Sequence, residues 1–135
     1  MTFSVCIPIA DRRVAYDFYT GGLGFAPAGE VAADGIPEPL QFDVGGGVRI
    51  MMVPHGGFEW AIGERRMTDG TTVGCLLTLD VPGPADVTEV FERAVAAGAA
   101  PIVTPQTQPW GTVTATFADP DGNLWEVTSP AAASG

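Results

Sequence analysis

In the stretch "SVCIPIAD" the residues Val5, Ile7 and Ile9 alternate with Ser4, Cys6 and Pro8, the two-residue period of a strand with one buried face. Asp11 then stands where a helix N-cap is expected. "RRVAYDFY" places Val14 and Phe18 four residues apart on one helical face, and the glycines of "TGGLGF" end the helix. Three short strand-like runs follow, "FAPAGEVA", "LQFDV" and "VRIMMVP", separated by Gly and Pro. The predicted order is strand, helix and three strands.

From residue 54 to residue 72, "PHGGFEWAIGERRMTDGTT", the periodicity is lost, which predicts a linker or lid loop. The order then begins again. "CLLTLDV" reads as a strand, and "PADVTEVFERAVAAG" as a helix with Val87, Val90, Phe91, Ala94 and Val95 on one stripe and Gly98 at its end. "PIVTPQTQ", "TVTATFA" and "NLWEVT" supply three more strands. Written without gaps above "TATFADPDGNLWEVT", the segment "PLQFDVGGGVRIMMV" sets Phe42 over Phe117 and Gly47 over Gly122. The expected organisation is a βαβββ module over 1–53, a linker over 54–72, a second βαβββ module over 73–129 and a small-residue tail over 130–135, together an α+β fold.

Composition narrows the function classes. The chain has 46% hydrophobic and 16% charged residues, as a globular protein does, and its formal charge of -10 opposes binding to nucleic acid or to anionic lipid. Neither a signal peptide nor an apolar run of membrane-spanning length is seen, so a cytoplasmic protein without membrane contact is expected. Cys6 and Cys75 form no CxxC pair; as strand residues they are expected on opposite faces of a sheet and reduced. "DVGGGV" joins two strands of a hairpin with no helix after it, so it lacks the geometry of a phosphate loop. "DPDG" lacks the later acidic ligands of a calcium loop.

"DFYTGGLGF" at the end of the first helix, with "PWG" and "FADPDGNLWEV" in the second unit, resembles the vicinal oxygen chelate superfamily of glyoxalases, bleomycin-resistance proteins and extradiol dioxygenases. The likeness covers nearly the whole chain. It implies two βαβββ modules whose strands curve into a cup, a homodimer in many members, and, in the enzymes, a divalent metal held from the first and last strands of each module. The superfamily hosts many reactions, so the resemblance speaks to fold before function.

If the uniformly apolar alternate positions face the helices, the remaining set faces the cup. On that basis Ser4 and Cys6, Leu76, Thr78 and Asp80, Arg49 and Met51, and Leu124 and Glu126 line it. The four ligand places implied by the resemblance map to Ser4, Met51, Leu76 and Glu126, with a shift in the Leu76 strand left open. A catalytic metal needs about three donors from His, Asp, Glu or Cys, and these positions offer one carboxylate. His55, the only histidine, falls in the predicted linker. No metal and no cofactor are therefore expected.

What remains is a pocket with an apolar wall from Met51, Leu76 and Leu124 and a polar stripe from Gln41, Thr112, Thr114 and Thr116, a composition suited to an organic small molecule. Arg49 and Glu126 are expected either to neutralise each other or to act on a substrate, with Glu126 as base and Asp43 as a candidate second group. Trp110, in "QPWGT", is a candidate stacking surface, whereas Trp60 reads as a loop hydrophobe. The leading expectation is a metal-free binding protein that sequesters an antibiotic or toxic metabolite. The alternative is a glyoxalase-like lyase or isomerase that uses Glu126 as base or as metal ligand.

Overall fold

The alternation of apolar residues builds two separate four-stranded sheets, one in each of two units that divide between Thr68 and Asp69. The structure, a computed structural model, describes residues 3–131. Unit 1 contains β1 (Phe3–Ile9), α1 (Arg12–Asp17), β2 (Ala26–Ala28), β3 (Leu40–Asp43), β4 (Val48–Pro54) and α2 (His55–Ile62). Its sheet runs β1-β4-β3-β2, with β1 parallel to β4 and the other pairs antiparallel. Ile7, Phe42, Ile50 and Met52 are buried on one face, toward which α1 packs.

Asp11 caps α1 as expected, accepting the Val14 N–H at 3.0 Å. The helix then widens into a π-helical turn over Phe18–Gly22, where Leu23 N–H donates to the Phe18 carbonyl at 3.2 Å. Val14 is not part of the buried stripe. Ala15, Phe18 and Tyr19 form it, three and four residues apart, and leave Val14 rotated off its edge and 48% exposed. Tyr19 anchors an aromatic cluster with Phe18, Phe25 and Phe42, at centroid distances of 4.9, 5.8 and 5.6 Å.

The run "FAPAGEVA" yields only the short β2 and one bridge between Val31 and Pro37. Arg12 fixes the rest of that loop. Its guanidinium donates to Asp34 Oδ2 at 2.6 Å and to the carbonyls of Ile36 and Pro37 at 3.2 and 2.6 Å. The segment 54–72 is likewise more ordered than the lost periodicity predicts, because α2 occupies its first half and packs on β1 and β4. The two glycines and weak amphipathicity of "HGGFEWAI" hide the helix from a pattern reading, and contacts within the unit supply what local propensity does not.

Unit 2 contains β5 (Leu76–Asp80), α3 (Pro84–Ala96), β6 (Ala100–Thr107), β7 (Val113–Ala118) and β8 (Leu124–Ser129), with sheet order β5-β8-β7-β6. Pro84 starts α3, and the Asp86 carboxylate accepts the Gly83 N–H at 2.9 Å while Asp86 N–H donates to the Gly83 carbonyl. Val87, Phe91 and Ala94 carry the buried stripe, and α3 packs across β6, β7 and β8. The repeat holds at the level of pairing. Phe42 pairs with Ile50 as Phe117 pairs with Trp125, and Gly47 and Gly122 both have positive φ in the connecting hairpin turns.

The turn "DPDGN" has a structural account. Buried Asp119 accepts N–H groups of Asp121 and Asn123 at 2.9 and 2.8 Å and the Asn123 side-chain amide at 2.9 Å, so its charge is compensated by fixed donors. Gly122 lies against Gly70, and a Cβ there would stand 3.0 Å from the Gly70 Cα. Cys6 and Cys75 belong to different units, so the expected opposition across one sheet does not occur; both are free and exposed. Among the described residues no helix is long and apolar enough to cross a membrane. Residues 132–135 of the expected tail lie outside the described residues.

Gly45 and Gly122 both have φ near +90°, but only Gly122 faces backbone. Gly45→Ala should cost about 1–2 kcal/mol for the left-handed conformation alone, and Gly122→Ala clearly more; equal losses in urea denaturation would count against the Gly70 contact. The Ile36 N–H holds the Asp34 carboxyl below the usual range; desolvation opposes it, and the charge and hydrogen bond of Arg12 add to the lowering. A lowered folded pKa gives stability that is present above about pH 4 and lost as the pH falls through the folded value. The stability advantage of the native chain over Asp34→Asn should therefore shrink on acidification below about pH 4, and a difference independent of pH would contradict the role assigned to the carboxylate.

Candidate functional site

In each sheet one face is taken up by the core, and cross-strand register decides which side chains meet on the other, since directly paired residues share a face. In unit 1 the pairing sets Cys6 beside Met51 and Met51 beside Gln41, with Ser4, Arg49 and Asp43 forming the adjacent row. Met51 and Gln41 are half-buried, and the other four are exposed. Arg49 Nη1 donates to Gln41 Oε1 at 3.4 Å, at the outer limit of a hydrogen bond. Asp43 accepts the Gly45 N–H at 2.9 Å and so helps hold its own hairpin turn.

In unit 2, Glu126 on β8 has Thr78 on one side and Thr116 on the other. Strand spacing puts each threonine about 5 Å away between backbones. The row before it is Leu76, Leu124 and Ala118, and the row after it is Asp80, Thr128 and Thr114. Gln108 Nε2 donates to Thr114 Oγ1 at 2.7 Å. Glu126 is half-buried, and among the described residues its carboxylate takes part in no ion pair or side-chain hydrogen bond. A group so placed gains from any donor brought to it, because its water shell is already incomplete.

The ligand mapping leaves a shift in the Leu76 strand open, and register supplies the residues level with Glu126 and Met51. Leu76 pairs with Leu124, so the β5 residue beside Glu126 is Thr78, and by the same repeat the β1 residue beside Met51 is Cys6 and not Ser4. In unit 1 these positions hold a thiol and a thioether, and in unit 2 a hydroxyl and one carboxylate. Neither pair fits a catalytic zinc, iron or nickel centre, which draws about three ligands from His, Asp, Glu and Cys. Among the described residues no three such side chains group to hold a metal ion. His55 opens α2 directly after β4 and is exposed. Arg49 and Glu126 belong to different units, and among the described residues neither is in an ion pair.

Trp110 sits in the turn between β6 and β7, closed by hydrogen bonds from Gln108 N–H to the Thr112 carbonyl at 2.7 Å and from Gly111 N–H to the Gln108 carbonyl at 2.8 Å. It is 71% exposed, and Trp60 on α2 is 87% exposed, so Trp60 is not the covered loop residue expected. Asp80 stands on the Glu126 face, where alternation along its strand puts it, and Thr128 joins that face without having been named from the sequence. Thr128 stands two residues beyond Glu126, so strand alternation alone was enough to find it.

The model of the Glyoxalase/Bleomycin resistance protein/Dioxygenase superfamily matches residues 3–127. The chain belongs to this superfamily. Its fold is shared with a glyoxalase-related enzyme from Fulvimarina pelagi, at 23% identity, a TM-score of 0.81 and coverage of 96% of this chain and 88% of the other. A glyoxalase/bleomycin resistance protein/dioxygenase family enzyme from Burkholderia phytofirmans PsJN is similar at 24% identity and a TM-score of 0.74, over 93% and 95% of the two chains. TioX from Micromonospora sp. ML1 is similar at 26% identity and a TM-score of 0.68, over 96% and 98%. No match was found among the curated proteins. Superfamily membership accounts for the paired modules and leaves the reaction open, so the donor set of this chain carries the chemical argument.

Equilibrium dialysis against zinc, nickel and ferrous ions tests that donor set. Binding is expected to be weak and substoichiometric; one tightly held ion per chain, lost in Glu126→Gln, would show that a ligand set has been overlooked.

Proposed function

We propose that the protein is a metal-free small-molecule binder that sequesters an antibiotic or a toxic metabolite. The observation that carries this reading is the row Thr78, Glu126 and Thr116 beside the apolar row Leu76, Leu124 and Ala118 on the face of the unit 2 sheet opposite the buried Phe117 and Trp125. Hydrocarbon flanking a few hydrogen-bonding groups is the usual make-up of an organic ligand site. The hydroxyls orient a ligand, the leucines remove its apolar surface from water, and Glu126 accepts its donors. Exposed Trp110 offers a flat face for stacking. In unit 1, Cys6, Met51 and Gln41 form a similar mixed row, with Ser4 and Arg49 beside it, and Met51 can adapt to an irregular ligand. The reading includes action in the cytoplasm and a homodimer.

A second reading is favoured by one feature, the absence of a side-chain partner for Glu126 among the described residues. A carboxylate left open in this way can take a proton from a bound carbon acid, as a lyase or isomerase requires. The two readings part at one substitution. In a binder, Glu126→Gln should change affinity for an uncharged ligand by less than about threefold, whereas in an enzyme it should remove turnover, a loss of about a hundredfold or more. Titration of tryptophan fluorescence with planar antibiotics, with Trp110→Phe as control, supplies the affinity. Turnover of a glyoxalase or isomerase substrate that is lost with Glu126→Gln would replace the binding function with catalysis.

A further inference from the structure

Beyond the Glu126 row the same sheet face ends in a cavity of about 530 Å³ that is widely open to solvent, lined by Asp80, Thr112, Thr128 and Ser129 with Val81, Pro82 and Pro130. We propose that this end of the face binds the ammonium group of an organic ligand, with Asp80 as its counter-ion. The inference rests on the reading of this face as a small-molecule site and adds the charge of the molecule that occupies it.

The chemistry of the lining points one way. Among the described residues Asp80 is the sole charged residue of the cavity wall, and no Lys, Arg or His contributes to it. Among the described residues Asp80 takes part in no ion pair and no side-chain hydrogen bond, so its charge is not spent on the fold. The Thr112 and Thr128 hydroxyls likewise have no side-chain hydrogen bond among the described residues, while Ser129 Oγ donates to the Pro130 carbonyl at 3.3 Å.

An ammonium group has three donors and no acceptor, and a carboxylate with two hydroxyl oxygens offers acceptors alone or by rotation. A carboxylate or phosphate in the same place would meet the Asp80 charge with no cation to offset it. Pro82 and Pro130 give the hydrocarbon of the ligand a surface to cover.

Register adds a second contact. Asp80 stands two residues along β5 from Thr78, the neighbour of Glu126, so the two carboxylates are one full pleat repeat apart along the strands, about 7 Å. A ligand with a donor at one end and an ammonium at the other can span both.

Nitrogen-15 NMR of the full chain with benzylamine, which is protonated at pH 7, tests the inference against benzyl alcohol and benzoate. Benzylamine should shift the amide signals of Val81, Thr112 and Thr128 in a saturable way, with the alcohol and benzoate at least fivefold weaker. Asp80→Asn, an exposed and conservative change, should reduce benzylamine to the level of the alcohol. Equal binding of amine and alcohol, unchanged amine binding in Asp80→Asn, or shifts centred on Thr78 and Thr116 would each overturn it. An antibiotic that binds beside Glu126 while benzylamine leaves the Asp80 end unmoved overturns this inference and leaves the proposed function standing. Failure of every probe to bind either end overturns both.

Discussion

Everything at the candidate site depends on which side chains the parallel pairing of β5 with β8 brings level. Thr78 is set beside Glu126, and the antiparallel partner β7 supplies Thr116 on the other side. A slip of one residue would turn Glu126 toward α3 and expose Trp125, which is 2% exposed, and Val127, which is fully buried. Burying a carboxylate without a partner costs several kcal/mol on the same scale as the loss of a large aromatic from the core, so both penalties oppose the slip. The packing of the core thus fixes the chemistry of the opposite face.

That dependence explains why one fold can hold either a metal centre or an organic ligand. The strands present side chains at fixed places whatever their identity, and the identities here are mostly poor metal donors. Cys6 and Thr78 occupy equivalent places in the two units, as do Met51 and Glu126. A thioether and a hydroxyl contribute contact area and hydrogen bonds where a metal centre would need imidazole or carboxylate. With Asp80 and its neighbouring hydroxyls at the end of the unit 2 face, the polar groups describe an acceptor-rich surface that favours ligands with donors.

Much of this was legible in the sequence because strand alternation is a short-range pattern. Val5, Ile7 and Ile9 against Ser4 and Cys6, and Trp125 and Val127 against Glu126, are assigned to faces by counting residues. The repeat survives at the same offset in Phe42 and Phe117 and in the two hairpin glycines. Pairing between distant strands is not written in that pattern, which is why the sequence left a shift in the Leu76 strand open and only the register sets Thr78 level with Glu126. Helices that rely on contacts were also hidden. α2 has two glycines and little amphipathic signal, and the π-helical turn after α1 accompanies a buried stripe on Ala15, Phe18 and Tyr19 where four-residue spacing had suggested Val14. Arg12, which ties α1 to the loop carrying Asp34, Ile36 and Pro37, acts over more than twenty residues and leaves no local trace.

The most direct measurement is a crystal structure of the protein grown with a small molecule that it binds, with anomalous diffraction collected to locate any transition metal. The result expected is ligand density across Thr78, Glu126 and Thr116, with the Glu126 carboxylate accepting a hydrogen bond from the ligand. An anomalous peak within coordination distance of Glu126, completed by other side chains, would contradict a metal-free binding site.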